Sequence, residues 1–402
     1  MGLYRYYPPA DGRMGMILAL AGISDTAILE FGPMGTANYG GMMLGSYGLN
    51  RDSLHFSTHM TDTQIALGDF SCLEEAIDAI LENHSPRAIF VVPSALSDIT
   101  GVDLNLFCGK HSTDRCKIIL LPSPGIGKED AYGIEKALCS LLPFAQAGDR
   151  PSKPCYSILG TMADDYTGPS DTVELVRLMR DFFRAEPLCI MPWGADPESL
   201  AKLGRGHVNL VIRSEALPLA ENLRQEYGIP YVYGRPCGCG QTVVWLEQIR
   251  QQTGWEPDLH ALEWEKNNSL EIQRRLVQYV NRTYHGKGFP LLFSSRYDTA
   301  RAVGRFLKED LGLSAQILYG TWARDDLPKT EEALWKDYID RNPDCLVLGD
   351  AGMCAYRQTG GEIVAHPGGC CLDLSGTRPF VGFRGGSVVA ELLWNLLHRK
   401  YP

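Results

Sequence analysis

Long apolar runs are missing from this 402-residue chain: none approaches the roughly 18 to 20 residues that a helix needs to cross a bilayer, which argues against a membrane partner. The opening stretch MGLYRYYPPADGRMGM lacks the apolar core of a signal peptide, so the expectation is a cytoplasmic protein. Positive charge is also scarce. Lys and Arg number 38 against 48 Asp and Glu, a formal net charge of −10, and no basic cluster stands ready to neutralise phosphates, so nucleic acid is not an expected partner. The glycine stretch GPMGTANYGG has neither the spacing of a dinucleotide fingerprint nor a Gly-Lys-Ser/Thr ending, which predicts that this chain binds no ATP. No Gly-x-Ser-x-Gly elbow points to a serine hydrolase.

What is present is a globular composition, 45% hydrophobic and 21% charged, long enough for two or three domains of roughly 130 to 200 residues. Twelve cysteines are many for a reducing compartment, where disulfides are rare. They read either as metal or cluster ligands or as small buried hydrophobes.

Three times the chain passes from short apolar strands through polar or glycine turns into helical patterns, which predicts an α/β protein of three Rossmann-like domains with mainly parallel sheets. In the first third MILALA, TAILEF, SLHFST, AIFVVPS and KIILLPS read as strands, and SCLEEAIDAILENH as a helix. CYSILG, LCIMPWG, VNLVI and PYVYG follow in the second third, and FPLLFSS, SAQILYG and CLVLGD in the last. A proline-rich stretch, GDRPSKPCYSILG, sets the first boundary, and the expected domains are residues 1–150, 151–285 and 286–402. Ligands of such domains are expected in the loops at the C-terminal ends of the strands.

Those loops hold the candidate residues. GPMGT, residues 32–36, reads as a tight glycine turn after the strand TAILEF. Cys237 and Cys239 in GRPCGCGQT, and Cys370 and Cys371 in AHPGGCCLDLSG beside His366, are candidate metal or cluster ligands, with redox chemistry and plain packing as the other readings. Asp164 and Asp165 in GTMADDYTG could act as acids or bases but are expected to cap a helix. His55 and His59 are spaced i, i+4 without a neighbouring Glu, which argues against zinc hydrolysis.

Several of these stretches together resemble the nitrogenase component 1 family, which includes nitrogenase catalytic subunits, their cofactor-assembly scaffolds and the dark-operative protochlorophyllide and nickel-sirohydrochlorin reductases. FGPMGTANYG is similar to the family's Gly-Pro-x-Gly-Cys turn, VVPSALSDITGVDL to its Glu-Cys-Pro segment, and CLDLSGTRPFVGFRGG to its closing glycine-rich segment. THMTDTQIALGDFSCLEEAI and VNLVIRSEALPLAENLRQEYGIPYVYG fall in the corresponding order.

The resemblance implies an oxidoreductase subunit that works in a dimer, with itself or a second component 1-like chain, or in a heterotetramer. It also implies low-potential electrons from an ATP-hydrolysing iron–sulfur reductase, an iron–sulfur cluster or related metallocofactor, and a small-molecule or tetrapyrrole substrate. The family's interface-cluster cysteines match the region of Pro9, Thr36 and Val92 here, so all three thiolates are replaced. Asp11 lies near the first of them. The family's cofactor-anchoring cysteine falls near Ile212. By the resemblance, Cys237, Cys239, Cys370 and Cys371 would line the central cavity, where Arg213, His366, Arg378 and Arg384 would supply positive charge to an anionic cluster or substrate. A non-catalytic partner subunit or assembly scaffold, and a small-molecule binding protein that kept only the fold, are the competing readings.

Overall fold

A computed structural model describes residues 10–46, 54–94, 103–105, 108, 111–125, 127–284, 289–319, 332–357, 361–363 and 376–400. Among the described residues twelve strands form three four-stranded sheets, every pairing parallel. The first contains β1 (Thr26–Phe31), β2 (Leu54–Ser57), β3 (Ala88–Pro93) and β4 (Lys117–Leu120), and the second β5 (Cys155–Thr161), β6 (Glu186–Pro192), β7 (Val208–Val211) and β8 (Tyr231–Tyr233). The third contains β9 (Leu291–Ser295), β10 (Gln316–Tyr319), β11 (Leu346–Gly349) and β12 (Gly361–Ile363). The spatial orders β2-β1-β3-β4, β6-β5-β7-β8 and β10-β9-β11-β12 are one topology used three times.

The burial of the strands explains why they read so clearly. A central parallel strand is covered on both faces, so its sequence is a continuous apolar run. β1, β3, β5, β7, β9 and β11 are buried along their whole length, whereas the edge strands β2 and β4 are partly exposed. In each sheet the chain crosses in opposite directions from the first strand, leaving a crevice between the first and third strands at their C-terminal ends.

Two expectations are corrected. MILALA is not a strand: it lies in the helix Gly12–Leu20, all nine residues of which are buried. A short apolar run cannot be assigned by periodicity when every face of the element is covered. Gly15 and Gly133 let this helix cross the helix Asp130–Cys139 at backbone contact, since a Cβ on Gly133 would lie 1.7 Å from the Gly12 carbonyl oxygen. GPMGT is a turn only at Gly32 and Pro33; from Met34 the chain is helical to Ser46, so Thr36 lies in a first helical turn. Gly40 lets that helix sit on the sheet, because a Cβ there would come within 2.9 Å of the Glu30 carboxylate. β12 was not foreseen, because its three residues carry no apolar run.

Each sheet comes from one of the three expected segments, yet the cores cross between them. The helix Gly12–Leu20 packs with Phe90 and Val92 of the first sheet and also with Leu159 and Val211 of the second. The C-terminal helix Gly382–Lys400 contributes Val389, Leu393 and Leu397 to the core of the third sheet and Phe383 to that of the second.

Candidate functional site

The ends of β5, β7, β8 and β9 and the start of the helix Asp130–Cys139 converge on one buried ionic cluster. Asp164 and Asp165 follow β5, Arg213 and Glu215 follow β7, Arg235 follows β8, and Arg296 and Asp298 follow β9. Asp298 is half-buried; the other six, with Asp130 and Asp171, are at most 8% exposed. Arg213 holds Asp164 in a two-pronged fork, Nη1 to Oδ1 at 2.9 Å and Nη2 to Oδ2 at 3.0 Å, and its Nε lies 3.4 Å from Glu215. Arg296 bridges Asp164 to Asp130, the latter at 3.2 Å, so carboxylates from the first and second segments share a guanidinium from the third. Asp298 accepts from the Ser214 amide at 2.8 Å and from the Tyr233 hydroxyl at 2.5 Å. Arg235 pairs with both Asp165 and Asp171, and Asp171 also accepts from Thr167 at 2.8 Å and from the Phe380 amide at 2.6 Å.

Six carboxylates thus face three guanidiniums, and full ionisation would leave negative charge in excess in a largely dry interior. Burial opposes ionisation of part of this set. Burial pushes the Asp130 carboxyl up to about 7 against the pull of Arg296, and the Asp171 carboxyl up to about 6 against Arg235. Burial raises Asp298 as well, with Glu215 adding to the shift. Gly160, at φ +106°, is required here: a Cβ would lie 2.6 Å from the Arg213 Cβ.

Of the candidate charge-supplying residues from the sequence that are described, only Arg213 belongs to this cluster. Asp164 and Asp165 are ion-pair partners in it rather than the helix caps expected, because the helix Gly168–Phe183 is entered through Thr167 with no side-chain cap. Arg378 is exposed, with its amide donating to Ser170 at 3.3 Å, and Arg384 is 57% exposed and 3.7 Å from Glu174. Neither joins Arg213. His366, Cys370 and Cys371 lie outside the described residues.

Cys237 and Cys239 are placed in different cores. Cys237 is fully buried with Phe293, Phe306 and Leu393, and Cys239 packs with Leu246, Val381 and Phe383. Burial raises both thiols above their ordinary range, with Asp310 adding to it, which disfavours the thiolate a metal needs. The glycines of this motif have the clearer task. Gly238 adopts φ +79°, and a Cβ there would lie 2.2 Å from the Phe306 ring, while one on Gly386 would lie 2.6 Å from the Gly238 Cα. CGCG is therefore the point where two helices touch backbone to backbone.

Of the positions that the resemblance sets against the family's interface-cluster cysteines, the structure places the Val92 side chain, which offers no ligand to a cluster. Val92 is fully buried and aliphatic, and Asp11 is the cap of the helix Gly12–Leu20, accepting from the Met14 amide at 2.8 Å. Pro9 lies outside the described residues. Ile212 packs in the core of the second sheet. His55 is bound to Glu30 at 2.6 Å, and Glu30 also pairs with Arg13. Among the described residues no group of three or more His, Cys, Asp or Glu is arranged to hold a metal ion.

Asp130, Asp171, Glu215, Arg235, Arg296 and Asp298 were missed by sequence reasoning. A signal existed for most of them: VIRSE, VYGRP and FSSRYD each place charge just beyond a strand end, where solvation by a loop is the default assumption and a shared interior the alternative.

A model of the nitrogenase component 1 type oxidoreductase family matches residues 12–359. The chain is similar to a light-independent protochlorophyllide reductase subunit of Chlorobium phaeobacteroides (strain BS1), with 24% identity over 81% of this chain and 66% of the relative. It is similar also to the subunit of the same name from Synechococcus sp. (strain JA-2-3B'a(2-13)), with 23% identity over 98% of this chain and 83% of the relative. The chain therefore spans just under two thirds of the length of the first relative. A solved structure of nitrogenase Cp1 at pH 6.5 superposes with a TM-score of 0.81 at 17% identity, covering 100% of this chain and 94% of that one, which shows the shared fold. The match over most of its length establishes that this chain belongs to the nitrogenase component 1 type oxidoreductase family.

Proposed function

We propose that this chain is one subunit of a nitrogenase-like reductase whose cluster thiolates come from a second component 1-type chain. In this reading low-potential electrons arrive from an ATP-hydrolysing iron–sulfur reductase and leave to a small molecule or a tetrapyrrole. Both protochlorophyllide reductase relatives are named as subunits, which supports a multi-chain assembly. The observation that carries the proposal is Val92: at a position where the resemblance calls for a thiolate, a fully buried aliphatic side chain completes the core of the first sheet. An aliphatic group cannot ligate iron, and the Asp11 carboxylate, close in sequence to the Pro9 position, is engaged in capping a helix.

The test is anaerobic purification of the chain alone and together with a cysteine-bearing component 1-type chain, followed by reconstitution and iron and sulfide analysis. Iron should accompany the pair and be substoichiometric in the single chain. A single chain that takes up a full cluster and turns over with a reductase by itself overturns the proposal.

A further inference from the structure

A cleft lies between the helix Gly238–Thr253 of the second sheet and the helix Tyr297–Arg305 of the third, at the end of β8, where it borders the ionic cluster through Tyr233, Arg235 and Asp298. Its volume is about 230 Å³. A cavity of about 150 Å³ holds a benzene ring, so this one admits a single ring with a short substituent and is far too small for a tetrapyrrole. The floor is fixed: Gln241 donates to the Ala302 carbonyl at 2.8 Å and ties the two helices together.

The walls divide into an apolar and a cationic side. Pro236, Val244 and the Trp245 indole line one part, and Val244 is 57% exposed although aliphatic. Arg301 and Arg305 line the other, one helical turn apart on the same face. Arg305 is engaged by Glu309 at 3.1 Å on both arms. Arg301 meets the Tyr297 hydroxyl at 3.4 Å, and among the described residues it forms no ion pair. The carboxylate that also lines the cleft, Asp298, has each of its oxygens engaged by Tyr233 or the Ser214 amide. The cleft therefore presents a guanidinium that forms no ion pair among the described residues beside a small apolar wall.

We propose that this cleft binds a small organic carboxylate, its charged end on Arg301 and its apolar body against Val244, Pro236 and Trp245. A planar guanidinium fork matches a carboxylate in two hydrogen bonds, and the apolar wall selects against a bare inorganic anion. The inference concerns binding alone and stands whether or not the chain works beside a cluster-bearing partner.

The test is titration calorimetry on the full chain with cyclohexanecarboxylate, its neutral isostere cyclohexanecarboxamide, and inorganic phosphate. The carboxylate should bind saturably at one site per chain, with the carboxamide at least about tenfold weaker. Arg301→Gln should weaken the carboxylate at least about tenfold, and Val244→Trp, which fills the cleft from an exposed position, should abolish binding with the melting temperature retained. No saturable heat with the carboxylate, equal binding of the carboxamide, unchanged affinity in Arg301→Gln, or saturable binding of phosphate alone would each overturn the proposal.

Discussion

Arg213 and Asp164, 49 residues apart, are locked by two hydrogen bonds of 2.9 and 3.0 Å where segments carrying the three sheets meet. Asp164 is at the same time bound by Arg296 from the third sheet, so one carboxylate fastens two segments. Removing one partner of a buried pair leaves the other charge without compensation, which typically costs about 3–5 kcal/mol. Asp164→Asn should therefore lower the urea-unfolding free energy by about that amount. A loss below about 1 kcal/mol would show that the cluster does not fasten the segments.

Asp130 makes the stability of the fold depend on pH. Its folded carboxyl titrates near 7 against an ordinary value of 3.8, because burial opposes ionisation. The folded state thus holds this proton more tightly than the unfolded state. The contribution is complete below about pH 4 and is lost as pH rises through about 7. Asp130→Asn cannot titrate, so the stability of the native chain relative to the variant should fall by on the order of 3–4 kcal/mol between pH 4 and pH 8. Parallel unfolding curves for the two proteins across that range would contradict the assignment.

The CGCG motif separates glycine from cysteine by experiment. Cys237→Ala removes one buried sulfur and should cost about 1–2 kcal/mol. Gly238→Ala forces a left-handed backbone onto an L-residue and a methyl into the Phe306 ring, and should cost about 3–5 kcal/mol. Native-state thiol labelling should leave Cys237 unreacted, since it has no exposed surface and a raised thiol titration. Rapid labelling, or a Cys237→Ala loss greater than that of Gly238→Ala, would reverse this ranking.

The arginines should divide by environment. Arg384, 57% exposed and 3.7 Å from its partner, should contribute less than about 1 kcal/mol when changed to Ala. Arg235→Ala strands Asp165 and Asp171 in the interior and should cost about 3–5 kcal/mol. Thermal unfolding of the two variants side by side checks the difference.

The amino-acid sequence by itself determined the local architecture. Parallel strands buried on both faces must be apolar throughout, so β1, β3, β5, β7 and β9 were legible as runs. Gly228 ends the helix Leu217–Tyr227 at a φ of +65°, which glycine adopts without strain. The helix Gly12–Leu20 was not legible, since an element buried on every face has no polar side to set a period.

The candidate site was legible only as a class of place, the loops beyond the strand ends. Asp130, Asp164, Arg213 and Arg296 come from separate stretches of the chain, and nothing local to any of them specifies the others. Cys237 and Cys239 stand two residues apart in the chain, yet their side chains enter different cores, because the start of a helix between two sheets directs them into each. Proximity along a chain fixes which groups are available, whereas the packing of three sheets against one another decides which charges meet, which thiols are buried and where a guanidinium is left facing a cleft.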